Sequence, residues 1–94
     1  MTTSLITWDG ITVAIRYYQP SYGKLTGHWH LEVKAEGEVP LPITETGYRS
    51  HFCNPSDIEA AGGPETYVEA WLEYAARQSD WIEAQAARQQ LTLF

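Results

Sequence analysis

Cysteine is almost absent. Cys53 is the only one in 94 residues, so no disulfide can form within the chain, and a reducing, cytoplasmic setting is expected. Basic residues are also few. Six Lys and Arg stand against twelve Asp and Glu, for a net charge of −6, and the six (Arg16, Lys24, Lys34, Arg49, Arg77, Arg88) are scattered. A nucleic-acid backbone demands a basic footprint, so direct binding to DNA or RNA is not expected. The chain contains no long apolar run, and its first residues combine neither a basic segment nor a greasy stretch. Neither a signal peptide nor a membrane span is expected. A glycine-rich phosphate loop is missing too, since Gly62-Gly63 separates two helical stretches and does not follow a strand. No cofactor is implied.

What is present in quantity is aromatic. Phe, Trp and Tyr make up 13% of the residues, with four Trp. Each ring can bury about 150–250 Å², so a chain of this length can build a modest core without staples. Two compositional halves meet at Cys53-Asn54-Pro55. In the first, Ser4–Trp8 and Ile11–Tyr18 flank Asp9-Gly10, which suits a type I′ turn between β-branched runs. Ile11, Val13, Ile15 and Tyr17 share one face of the second strand. His28–Lys34 alternates again, with Trp29, Leu31 and Val33 on one side and His28, His30, Glu32 and Lys34 on the other. Residues 19–27 read as loop, Pro40–Ile43 as extended chain, and Tyr48–Phe52 as a short fourth strand after a turn at Gly47.

The second half is helical. Asn54 caps, Pro55 occupies the first position, and Gly62-Gly63 stops a short helix. Pro64-Glu65 opens a stronger one to about Arg77, whose Tyr67, Val68, Trp71, Leu72 and Ala75 form one apolar stripe. Ser79 caps a third, from Asp80 to about Gln89, with a thin apolar face. Strands followed by helices predict an α+β fold: a small antiparallel sheet of three to four strands with two to three helices on one face. The expected organisation is one domain over residues 1–89 and a peptide tail over 90–94.

Two constellations could carry chemistry. His28 and His30, and His51 and Cys53, each have the spacing that points both side chains one way from a strand. If the two strands are neighbours, four donors could converge as a tetrahedral zinc set. The bland reading puts the histidines on a wet sheet face and Cys53 in the core. The loop around Glu45, Tyr48, Arg49 and Ser50 concentrates polar groups without a defined role, and its plain reading pairs Glu45 with Arg49. Ser50 and His51 are adjacent, but adjacency is no nucleophile–base pair. The carboxylates Glu59, Glu65, Glu69, Glu73 and Glu83 fall at helical spacing and read as a solvated face. The chain is not expected to be an enzyme.

The final five residues, Gln90-Leu91-Thr92-Leu93-Phe94, are the sharpest signal. They resemble the bacterial sliding-clamp-binding pentapeptide, Gln-Leu, a small or acidic residue, then Leu-Phe. Four positions match, and Thr92 stands where Ser or Asp is more usual. The resemblance implies a partner, the DNA polymerase sliding clamp, and contact residues Gln90, Leu91, Leu93 and Phe94. Burying Leu93 and Phe94 in a groove would each contribute about 1.5–3 kcal/mol before ordering costs. The implied role is a non-enzymatic binding module that modulates replication or repair. Residues Pro40–Gly63 are also similar to small bacterial proteins of plasmids and other mobile elements, which implies no activity. Two other readings stay open: a His/Cys metal protein, and a structural homo-oligomer whose last residues pack as a strand on a sheet edge.

Overall fold

The computed structural model describes residues 2–19 and 27–92, with 88–92 described by their backbone alone. Four strands form one antiparallel sheet in chain order: β1 (Thr2–Trp8), β2 (Ile11–Tyr18), β3 (Trp29–Ala35) and β4 (Tyr48–Cys53). Three helices follow: α1 (Pro55–Ala61), α2 (Pro64–Ala76) and α3 (Ser79–Thr92). This is the expected α+β architecture. The loop expected over residues 19–27 lies largely outside the described residues, as does Tyr22.

Local chemistry explains each junction. Asp9 and Gly10 both have positive φ, at 49° and 77°, as a two-residue type I′ turn requires, and Trp8 pairs with Ile11 across it. Asn54 caps α1 by accepting from the Ser56 N–H at 3.0 Å, with Pro55 in the first turn. Gly62 ends α1 in the left-handed region, at φ 100°. The segment expected to be extended, Pro40–Ile43, instead folds into a tight turn: Leu41 and Thr44 exchange backbone hydrogen bonds of 2.8 and 3.0 Å. The turn places Leu41 in the core, where it is 2% exposed, and sets Pro42 at the second turn position, which proline favours.

The register sorts the sheet into two faces. Ile6 and Trp8, Val13 and Ile15, Leu31, Val33 and Ala35, and Cys53 face the helices and form the core with Ile58 of α1 and Val68 and Leu72 of α2. Trp71, Tyr67 and Trp81 pack against its rim. Trp8 donates its indole N–H to Glu73 at 3.2 Å and lies 6.3 Å from Trp81, which ties β1 to α2 and α3. Among the described residues no helix covers the opposite face. It presents Leu5, Arg16, Tyr18, His30, Glu32, Lys34, Tyr48, Ser50 and Phe52. The helix α3 runs three residues past the expected Gln89, so the backbone of Gln90, Leu91 and Thr92 is helical, while Leu93 and Phe94 lie outside the described residues.

Candidate functional site

The open sheet face holds the densest set of chemically capable side chains among the described residues. Three rows cross it. Phe52, His30 and Tyr18 stand side by side in one row; Ser50, Glu32 and Arg16 in the next; Tyr48, Lys34 and Ala14 in the third. Period-two alternation puts each of these on the same side of its strand, and antiparallel pairing makes them neighbours.

His30 is the hub. Its Nδ1 lies 2.5 Å from the Tyr18 hydroxyl, and its Nε2 hydrogen-bonds the Ser50 hydroxyl. The ring is stacked on Phe52 with centroids 4.9 Å apart and meets Tyr18 edge-on at 5.0 Å. Two hydrogen bonds and two ring contacts fix the imidazole. Next to it, Arg16 pairs with Glu32 at 3.1 Å and lies 5.5 Å over the Tyr18 ring. Tyr48 donates its hydroxyl to Glu32 at 2.7 Å. That bond stabilises the protonated phenol and pushes the Tyr48 pKa up, with burial and the Glu32 charge acting in the same direction. Ser50, His30 and Tyr18 therefore have the connectivity of a nucleophile, a base and an orienting group. The face is nevertheless open, and the Glu32 carboxylate stands opposite Ser50, where it would repel a developing oxyanion. The arrangement is better suited to holding side chains rigidly than to acyl transfer.

The four expected metal donors do not converge. Trp29 pairs with Cys53 and Leu31 with His51, so His51 and Cys53 face the helices while His30 faces outward, with exposed His28 just before β3. Each pair has the right spacing, but the register turns the pairs to opposite faces. Among the described residues no group of three or more His, Cys, Asp and Glu could hold a metal ion. On the covered side, Cys53 donates to the Trp29 carbonyl at 3.6 Å, and burial pushes its thiol up, aided by Asp57. His51 packs against Trp71 at 4.9 Å, and its Nε2 lies 3.5 Å from the Tyr67 hydroxyl. Burial lowers its pKa, and Arg49 lowers it further.

The polar loop resolves into separate roles. Arg49 does not pair with Glu45; its guanidinium lies 5.8 Å over the Trp71 ring on the helix side. Thr44 and Thr46 donate their hydroxyls to the Tyr48 carbonyl at 2.7 and 3.3 Å. Ser50 and His51 point to opposite faces, so the partner of Ser50 is His30, twenty residues earlier. Alternation alone places His30 and Glu32 together. The missing signal was the pairing of β3 with β4, which brings Ser50 and Phe52 to them. Of the tail residues, Gln90 and Leu91 continue α3 in backbone, and Leu93 and Phe94 lie outside the described residues. No helix among the described residues is long and apolar enough to cross a membrane.

No curated protein and no solved structure matches this sequence. A family model described as the KlcB third domain matches residues 1–81, a span that takes in the whole sheet, α1, α2 and the opening of α3. With every element of the packed body inside that match, the chain belongs to the KlcB third-domain family.

Proposed function

We propose that the chain is a non-enzymatic binding module recruited to the bacterial DNA polymerase sliding clamp by Gln90, Leu91, Leu93 and Phe94. The KlcB-type match suggests a small plasmid-associated protein, a setting in which access to the host replication machinery is useful. The observation that carries the reading is positional. The pentapeptide falls outside the matched span 1–81, and the backbone of its first three residues closes a helix whose Trp81 packs on the body. Ile82 on α3 is 56% exposed, and Glu83, Ala86 and Ala87 are exposed as well. A helix with so exposed a stretch draws little support from tertiary packing there.

Clamp binding through this peptide is tested by fluorescence competition against a labelled clamp-binding peptide. The full chain should displace the probe. A chain ending at Gln89, or the Leu93→Ala/Phe94→Ala pair, should be weaker by at least about tenfold, since two buried apolar anchors are lost. Equal displacement by the truncated chain would sink the proposal.

A further inference from the structure

The hairpin turn decides where the backbone of β1 points. A two-residue type I′ turn closes on a hydrogen-bonded pair, here Trp8 and Ile11. Antiparallel ladders alternate, so Thr2, Ser4, Ile6 and Trp8 direct their N–H and C=O groups to β2. Thr3, Leu5 and Thr7 direct theirs away from the sheet. Their side chains share the open face, where Leu5 is 68% exposed, the largest exposure of any large apolar residue described. β1 is an outer strand in the order β1-β2-β3-β4, and no further strand pairs with it among the described residues. Nothing in Thr2–Trp8 guards this edge. The strand has no charge and no proline, and it pairs without a bulge along its full length. The opposite edge is different: β4 carries Arg49, and the Tyr48 carbonyl already accepts from Thr44 and Thr46.

The three outward residues are symmetric about Leu5. When a second β1 runs antiparallel with Leu5 opposite Leu5, Thr3 meets Thr7 at both ends, and every outward group finds a partner. Three hydrogen-bonded pairs, about six backbone bonds, result. On the open face the same register places Leu beside Leu, flanked by two Thr–Thr pairs, all favourable cross-strand combinations. Charge selects this edge as well. Helical residues 55–92 hold seven acids (Asp57, Glu59, Glu65, Glu69, Glu73, Asp80, Glu83) and two bases (Arg77, Arg88), a balance of −5, whereas β1 is neutral. We infer that the protein forms a two-fold homodimer through β1, joining two four-stranded sheets into one of eight. This surface is independent of the pentapeptide and its partner. Because each copy carries −6, the dimer strengthens as salt screens the repulsion.

Sedimentation of the full chain across a concentration series, with amide exchange by NMR, tests this. A species of twice 10.6 kDa is expected, with Thr3, Leu5 and Thr7 amides gaining protection as concentration rises, while Ser4 and Ile6 stay protected throughout. Leu5→Lys places a charge at the centre of the edge on an already exposed side chain and should give a folded monomer. Ile82→Lys, at an exposed apolar residue on α3, should leave the dimer intact. So should truncation at Gln89, which separates this interface from the tail. A monomer at every concentration, or a dimer whose Thr3, Leu5 and Thr7 amides exchange freely, overturns the inference. Should Leu5→Lys fail to fold, the wild-type exchange series decides alone.

Discussion

Gly47 shows how one residue holds the sheet and loop together. Its φ of 80° lies in the left-handed region, and its carbonyl accepts from the Ala35 N–H at 2.7 Å. A Cβ there would sit 2.7 Å from the Glu38 carbonyl carbon and 2.8 Å from the Val39 oxygen, both backbone and unable to swing aside. Gly47→Ala should lower stability by about 2 kcal/mol or more, measured by urea unfolding. The turn at Gly47 was legible from sequence; the backbone crossing it was not, because it comes from residues 38 and 39. His51 makes the stability depend on pH. Its imidazole is less basic folded than unfolded, so below its ordinary value of 6.5 the unfolded chain binds more protons. The stability tied to neutral His51 is present above that value and is lost as pH falls through the depressed folded pKa. The groups facing the ring are Arg49, Tyr67 and Trp71, and protonation next to the Arg49 cation adds repulsion. The urea midpoint should drop between neutral pH and about pH 5.5 more in wild type than in His51→Gln.

Among the elements, α2 and α3 differ in how they are held. α2 buries Val68 and Leu72 completely against the sheet, as its stripe predicts, and Leu72→Ala should cost about 2–5 kcal/mol by cavity formation. α3 is anchored through Trp81, which meets Trp8. Trp81→Ala should release α3, lowering the helical circular dichroism signal at moderate temperature while the sheet and α2 still unfold together; loss of all structure at once would show that α3 is integral to the body. Helix starts and stops were legible because Asn54-Pro55 and Gly62-Gly63-Pro64 act locally. The Leu41–Thr44 turn was not, since the burial that favours it involves residues far along the chain.

For the molecule as a whole, charge is unevenly shared. Residues 1–54 contain five acids and four bases, a balance of −1, against −5 for the helical half. Self-repulsion of that half should make thermal stability rise by a few degrees between low salt and about 0.3 M salt, followed by differential scanning calorimetry. The same polarity leaves the open face with Arg16 and Lys34 around Glu32, a nearly balanced surface whose hydrogen-bond network rigidifies the sheet. The shape is elongated, 52 Å by 23 Å by 20 Å.

Fold class, hairpin, helix starts and the buried stripe follow from the sequence, because period, caps and turn residues act within a few positions. The candidate pentapeptide is likewise a property of the sequence alone. Cross-strand register is not. Pairing Trp29 with Cys53 and Leu31 with His51 separates the supposed metal donors and joins His30 to Ser50, and that choice belongs to the sheet as a whole. A shift of one residue would exchange the two faces of β4, and the burial of Cys53 under the helices favours the observed one.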